Sequence, residues 1–257
     1  MIHPSAIVHP EAKIDPSVEI GPWCSVGPKV KIGRGTRLMS HVVVDGSTEI
    51  GEDNVIFPFS VLGAVPQDLK YKGEDTRLVI GDKNTIRESC TLNLGTVGGG
   101  GVTQIGNHNL LMAYTHLGHD VRMGDHCIIA NVGTLAGHVT IEDYVTLGGV
   151  SAVAQFCRIG AHAYIGGQSA VEKDVPPFAI AVGARPCMVK GANIVGLRRR
   201  GFTADTISRI NEVIKLWTRH DVQKEQCLLE IESQFGEIPE IQKFVAFIRG
   251  SECGVVR

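Results

Sequence analysis

Aliphatic residues occur at every sixth position through most of the first two-thirds of the chain. A period of six fits neither the turn of an α-helix nor the alternation of an isolated strand. It is typical of hexapeptide repeats, which build a parallel β-helix. These repeat positions are Ile2, Val8, Ile14, Ile20, Val26, Ile32, Leu38, Val44, Ile50, Ile56 and Leu62, then Ile80, Ile86 and Leu92, then Ile105, Leu111, Leu117, Met123, Ile129, Leu135, Ile141, Leu147, Val153, Ile159, Ile165 and Val171.

Three hexapeptides complete one triangular coil, so residues eighteen apart are expected to stack about 4.8 Å apart in neighbouring coils. The repeat residue and the small residue four positions later point inward. Glycine often follows a repeat residue directly, as at Gly21 and Gly33, and we expect corners there because corners need backbone freedom. Histidines three positions after a repeat residue are also expected at corners, since histidine tolerates unusual backbone angles: His41, His108, His126, His138 and His162.

Two interruptions of the repeat, near residues 64–79 and 93–104, predict loops that leave the solenoid without disturbing its core. Such loops often line binding sites. The second contains four consecutive glycines, Gly98 to Gly101. No GK[ST] sequence follows them, so a flexible excursion is favoured over a phosphate-binding loop.

Beyond Val171 the apolar spacing becomes helical. We therefore predict two units, a β-helix over residues 1–187 and an α-helical C-terminal domain over residues 188–257. Thr203 is the expected cap of the first long helix. The helices are expected to pack on one another and to cover the open end of the solenoid, through three stripes: Ile207, Ile210, Ile214 and Trp217; Leu228, Ile231 and Phe235; Ile241, Phe244, Val245 and Ile248.

Composition excludes several classes of function. A net charge of −2 and a pI near 6.5 give no global reason to expect nucleic acid. The chain starts without a charged segment followed by an apolar one and has no long apolar run, which predicts a soluble cytoplasmic protein without membrane insertion. No two of the seven cysteines have CxxC spacing, and four of them occupy inward positions, so small buried thiols are expected.

Candidate catalytic residues follow from the eighteen-residue step. Adding eighteen to His119 gives Gly137 and then Gln155, and the same step from Asp120 gives His138. We expect one surface column of His119, Gly137 and Gln155, with Asp120 and His138 beside it. None of these positions points inward, which disfavours an ordinary core histidine. An adjacent carboxylate can fix the tautomer of His119, as a general base requires.

Three other interpretations stay open. His138 lies at a corner phase, so its histidine can be explained by backbone geometry alone. His116, His119 and His138 are a candidate zinc set for a trimeric hydratase like carbonic anhydrase, although His116 and His119 have alternate outward directions. A non-catalytic hexapeptide scaffold is also compatible with the repeat, because this architecture serves many functions.

Several motifs in order resemble the acyl-carrier-protein-dependent UDP-N-acetylglucosamine O-acyltransferases that begin lipid A synthesis. The resemblance covers essentially the whole chain and implies a left-handed prism, a homotrimer with active sites between subunits, and no metal or redox cofactor. The donor would be a 3-hydroxyacyl thioester on acyl carrier protein. The motifs lie at residues 67–71 (QDLKY), 86–89 (IRES), 109–112 (NLLM), 119–120 (HD), 135–139 (LAGHV), 155–157 (QFC), 174–177 (DVPP) and 196–202 (GLRRRGF).

Residue roles carried over from that family are as follows. His119 would take a proton from the sugar 3-hydroxyl, Asp120 would orient His119, and the Gly137 N–H would stabilise the oxyanion. A further group would position the nucleotide sugar, with guanidinium groups suited to phosphate oxygens: Gln67, Asp68, Lys70, Asn93, His116, His138, Gln155, Asn193, Arg199 and Arg200.

Three positions bear on the choice of substrate. Gly167 matches the position at which side-chain size limits the acyl chain, and glycine there implies a long chain such as 3-hydroxytetradecanoyl. Asn93 and Ala154 both replace a histidine that is common in the family. Because Asn93 would contact the sugar, an acceptor with a 3-amino group in place of the 3-hydroxyl stays open.

Overall fold

From Val8 onward, the aliphatic repeat positions face the interior of a left-handed parallel β-helix. A computed structural model describes all residues from 1 to 257. Its three sheets form the faces of a prism. Face 1 has nine strands: Ile7–Val8, Ser25–Val26, Val43–Val44, Val61–Ala64, Thr91–Asn93, His116–Leu117, Thr134–Leu135, Ala152–Val153 and Ala170–Val171.

The other two faces have eight and ten strands. Face 2 consists of Lys13–Ile14, Lys31–Ile32, Ser47–Ile50, Arg77–Ile80, Val102–Ile105, Arg122–Met123, Thr140–Ile141 and Arg158–Ile159. Face 3 consists of Glu19–Ile20, Arg37–Leu38, Val55–Ile56, Thr85–Ile86, Leu110–Leu111, Ile128–Ile129, Thr146–Leu147, Tyr164–Ile165, Ala179–Val182 and Met188–Ala192.

Strand pairing confirms the eighteen-residue step. Val8 pairs with Val26, and Leu117 pairs with Leu135. Where the sequence is interrupted, the ladder continues across the insertion, so Leu62 pairs with Leu92. The insertions therefore leave the stacking of the coils intact.

Most corners of the prism depend on non-glycine residues in the left-handed region, and of the glycines that directly follow a repeat residue only Gly63 has positive φ. All five corner histidines have φ between 56° and 63°, as predicted. Even Val132 and Val150 adopt positive φ, which costs free energy that the surrounding ladder must offset. Gly21 and Gly33 have no positive φ, so the expectation of backbone freedom at these two positions was wrong.

Those glycines are explained by the closeness of the next coil. A Cβ on Gly21 would lie 2.6 Å from the carbonyl oxygen of Met39. One on Gly33 would lie 2.8 Å from the backbone carbon of Gly51. The coils approach so closely here that even a methyl group does not fit.

Both insertions leave the prism at the same edge. We call the turn from face 1 to face 2 the first edge, that from face 2 to face 3 the second edge, and that from face 3 to face 1 the third edge. Residues 65–76 and 94–101 both connect face 1 to face 2, so each loop is slightly shorter than predicted. The glycine run is ordered, because Val97–Gly99 forms a 3-10 turn that ends at left-handed Gly100.

The C-terminal segment begins with a strand, Met188–Ala192, antiparallel to Ala179–Val182. The segment predicted to be helical from residue 188 therefore becomes helical at residue 194, and a unit boundary at residues 187 and 188 stays a prediction. Four helices follow: α1 Ile194–Arg199, α2 Ala204–Trp217, α3 Lys224–Phe235 and α4 Pro239–Arg249.

The predicted apolar stripes are buried between these helices. The Thr203 hydroxyl accepts a hydrogen bond from the Thr206 N–H at 3.1 Å, as expected for the cap of α2. The last residues return to the prism, where the Val256 carbonyl accepts from the Trp217 indole N–H at 2.9 Å. None of the four helices combines the length and apolar character needed to cross a bilayer.

We predict that Gly33→Ala lowers the free energy of unfolding by about 1–3 kcal/mol, because its methyl group would press on the backbone of the next coil. Gly98→Ala is the matched control, since its Cβ would have no neighbour closer than 4.0 Å. Both changes reduce the entropy of the unfolded chain similarly. Urea unfolding of the two variants measures the difference, and equal stabilities would contradict the packing explanation.

Candidate active site

His119 and Asp120 form a buried pair at the first edge. His119 Nδ1 lies 2.8 Å from Asp120 Oδ2, so we assign the ring proton to Nδ1 and leave Nε2 as an acceptor. The two residues are 7% and 3% exposed, respectively. The expectation of a surface column was therefore wrong for both, and the second insertion covers Asp120.

The covering contact comes from Thr96, which the repeat did not single out. Its N–H donates to Asp120 Oδ1 at 2.8 Å, and its hydroxyl donates to Asp120 Oδ2 at 2.6 Å. The backbone N–H of Asp120 in turn donates to the Thr103 hydroxyl at 2.8 Å. No sequence signal identifies these threonines, since they lie in and beside a loop without periodicity.

Gly137 lies directly beneath the His119 ring on the next coil. A Cβ at Gly137 would lie 2.5 Å from His119 Cε1 and 2.6 Å from Nε2, so a larger residue would displace the imidazole. The Gly137 N–H has no acceptor within the chain. The arrangement leaves a histidine nitrogen and a free amide N–H side by side.

On the second edge, the backbone N–H at the equivalent corner position donates to a side chain. There the N–H of Asp82 donates to Asn107 Oδ1 at 2.7 Å, and the N–H of Asn107 donates to Asp125 Oδ1 at 2.6 Å. Each of these side chains accepts a hydrogen bond from a backbone N–H of the preceding coil. At the first edge, His119 and Gly137 hold the equivalent positions, and no such acceptor fills the Gly137 site.

His138 lies beside the pair. Its ring packs edge-on against His119 with centroids 4.9 Å apart and stacks on Phe156 at 4.5 Å. Burial lowers the pKa of His138, an effect that the Asp120 carboxylate opposes. The charges of Asp68 and Lys70 in the first insertion have smaller, opposite effects on the same pKa.

The other predicted groups near this edge have distinct surroundings. His116 projects from face 1, with Nδ1 2.8 Å from the Thr91 hydroxyl, and burial lowers its pKa. Asn93 is 3% exposed, and its Oδ1 is buried without a hydrogen-bond partner. Gln155, Ala154 and Gln67 are exposed.

The three imidazoles of the alternative zinc interpretation are not assembled. The residues that could share one ion are His119, Asp120 and His138, with ligand atoms within 4.8 Å of one another, and His116 is not among them. Both oxygens of Asp120 already accept hydrogen bonds from Thr96. The geometry therefore differs from the three-histidine zinc site considered from the sequence.

The remaining predicted residues lie on other edges. The Asn193 amide donates to the His162 carbonyl at 2.9 Å and caps α1, and the Arg200 guanidinium lies 4.7 Å from the centroid of the Tyr144 ring. Both contacts lie at the second edge. Arg199 is the last residue of α1 and directly precedes Arg200. Gly167 lies on the third edge. One copy of the chain thus does not bring all predicted site residues to one ligand.

A prism of hexapeptide repeats, with an acid–base pair and a free amide at its loop-bearing edge, defines the chain as a hexapeptide-repeat transferase. Residues 103–133 match the bacterial transferase hexapeptide model, and residues 174–256 match the second domain of UDP-N-acetylglucosamine O-acyltransferase. The chain belongs to the acyl-[acyl-carrier-protein]–UDP-N-acetylglucosamine O-acyltransferase family.

Full-length relatives support this membership. The enzyme of that name from Thermodesulfovibrio yellowstonii is 48% identical over 100% of this chain and 99% of its own. The structure of LpxA from Acinetobacter baumannii is 47% identical, covers 100% and 99% of the two chains, and gives a TM-score of 0.96. UDP-N-acetylglucosamine acyltransferase from Francisella novicida is 40% identical, with 100% and 94% coverage and a TM-score of 0.97.

The second edge also carries a stack of rings that includes His126, Tyr144, His162 and Phe178, with Phe202 packed edge-on against His162. Burial, with the charges of Lys243 and Arg200, lowers the pKa of His162 to about 4. Because the ordinary value is 6.5, the unfolded chain binds this proton more readily. The contribution of neutral His162 to stability is therefore present above pH 6.5 and is lost as pH falls toward 4.

We predict that His162→Phe reduces the loss of stability between pH 7 and pH 4 by about 1–2 kcal/mol, a value discounted for the ring's partial exposure. Phenylalanine preserves the stack and is tolerated at positive φ, as Phe156 and Phe178 show. Melting temperatures of wild type and variant across this range provide the measurement. Parallel curves for the two proteins would refute the assignment.

Proposed function

We propose that this protein transfers a 3-hydroxyacyl chain from acyl carrier protein to the glucosamine 3-position of UDP-N-acetylglucosamine, the first step of lipid A synthesis. The observation that carries the proposal is the buried His119–Asp120 pair with the free Gly137 N–H on the next coil. Family membership supplies the substrate classes, since the name of the Thermodesulfovibrio yellowstonii relative contains both.

The proposed reaction uses His119 Nε2 as the general base. It accepts the proton of the sugar 3-hydroxyl while that oxygen attacks the thioester carbonyl carbon. The resulting oxyanion accepts a hydrogen bond from the Gly137 N–H, a contribution worth about 3 kcal/mol in comparable sites. Collapse breaks the carbon–sulfur bond, and the protonated imidazole gives the proton to the departing carrier-protein thiolate, which leaves as the thiol.

The acceptor sugar would lie between the base and the first insertion. Asp68 and Lys70 belong to that insertion, and their charges act in opposite directions on the pKa of His138. Gln67, Asn93, His116 and Gln155 complete the proposed set of sugar contacts around this edge. The charged groups Asp68 and Lys70 suit a ligand with both hydroxyl and phosphate groups.

The separation of the site residues supports a homotrimer with active sites between copies. Asn193, Arg199 and Arg200 lie near the second edge, so in the proposed assembly they bind nucleotide phosphate held at the first edge of a neighbour. The third edge exposes apolar side chains that a neighbour would cover: Trp23, Phe59, Tyr114, Val132 and Val150. Gly167 lies on this edge, where the proposed acyl chain would pass between copies.

Purified protein offered a series of 3-hydroxyacyl carrier proteins and UDP-N-acetylglucosamine should yield the 3-O-acyl product, with long chains preferred because Gly167 adds no side chain. Mass spectrometry identifies the product and the preferred chain length. A parallel series with the 3-amino sugar determines which acceptor is used. Preference for the amino sugar would indicate that Asn93 selects an acceptor with a 3-amino group. No transfer to either sugar would overturn the proposed activity.

Replacing the base should nearly abolish transfer. We expect His119→Ala to lower kcat by about 100- to 10,000-fold, the usual contribution of a positioned general base. His126→Asn is the matched control, since it alters a histidine on the second edge, away from His119, and asparagine tolerates positive φ. Circular dichroism verifies folding, and near wild-type turnover by folded His119→Ala would exclude the mechanism.

A further inference from the structure

The carboxylate of Asp120 lies between two imidazoles. Asp120 Oδ2 is 2.8 Å from His119 Nδ1 and 3.7 Å from His138 Nδ1. Only the first distance is a hydrogen bond. A modest rotation of the carboxylate would therefore exchange its histidine partner, so the pairing with His119 needs an additional constraint.

Thr96 supplies that constraint. It donates through its N–H to Oδ1 and through its hydroxyl to Oδ2, which fixes the plane of the carboxylate at both oxygens. Thr96 is 8% exposed, so water competes little for these bonds. Hydrogen bonds to a charged acceptor are among the stronger ones in proteins.

The loop holds Thr96 in place through its own backbone. The Gly101 N–H donates to the Thr96 carbonyl at 2.8 Å, and the Gly95 N–H donates to the Arg77 carbonyl at 3.1 Å. Gly99 passes so close to the Asp120 carboxyl group that any Cβ would collide with it. The glycine-rich insertion is thus built around this carboxylate.

We propose that Thr96 is a positioning residue that holds Asp120 on His119 and away from His138. The inference rests on the proposed function, because it assigns His119 as the base whose orientation matters. Thr96 acts through Asp120 and does not touch substrate. It extends the His119–Asp120 pair to a chain of three residues, and it gives the second insertion a role in catalysis.

The test replaces the hydroxyl while keeping the shape of the side chain. Thr96→Val should lower kcat about tenfold with KM for both substrates changed less than about twofold, because misorientation of the base affects the reaction rather than binding. Thr96→Ser restores the hydroxyl and should retain kcat within about threefold of wild type. Thr48→Val is the matched control, since it removes a buried hydroxyl that donates to the Asp45 carbonyl at 2.6 Å.

A double-mutant cycle with Asp120→Asn separates positioning from general loosening of the loop. In the Asp120→Asn background, Thr96→Val should cause little further loss of kcat, because the carboxylate that it orients is gone. An equal tenfold loss in both backgrounds, or unchanged kcat in Thr96→Val, would overturn the role of Thr96. Wild-type protein without transfer activity would instead overturn the proposed function.

Discussion

The close stacking of successive coils is the constraint on which the rest of this molecule depends. Parallel main-chain hydrogen bonds hold each residue beside its counterpart in the next coil, and at Gly21 and Gly33 no space remains for even a methyl group. Coils held this tightly cannot slide past one another. The relative placement of His119 and Gly137 is therefore determined by the backbone ladder and not by the flexibility of either residue.

The same geometry explains how the proposed oxyanion donor can arise without a special loop. At the second edge, a corner N–H is satisfied by an Asp or Asn side chain from the following coil, as between Asp82 and Asn107. At the first edge, Gly137 has no acceptor for its N–H and no side chain to displace the His119 ring. The proposed oxyanion site is thus a corner without the side-chain acceptor seen on the second edge, so its preorganised N–H is free to meet a developing negative charge.

Periodic features of this protein could be predicted from the sequence, and aperiodic ones could not. The period of six determined the faces, the stacking of Leu117 on Leu135 and the inward thiol of Cys127, whose pKa burial raises to about 12. The helical stripes and the Thr203 cap were equally accessible, because they depend on local spacing. The cover over Asp120 was missed because it comes from a loop residue, and no rule of spacing places Thr96 over that carboxylate.

The proposed reaction requires a chemical step and binding of the nucleotide, and residues of different edges provide for the two. The base, its carboxylate and the oxyanion donor all lie on the first edge of one copy, so the reacting geometry is complete before any neighbour is added. Arg199 and Arg200 lie near the second edge, at the opposite side of face 2, and can serve that site only in another copy. In the proposed assembly, contacts between copies therefore govern the affinity for the nucleotide. The ladder within one copy governs the chemical step, because it alone sets the distance between base and oxyanion donor.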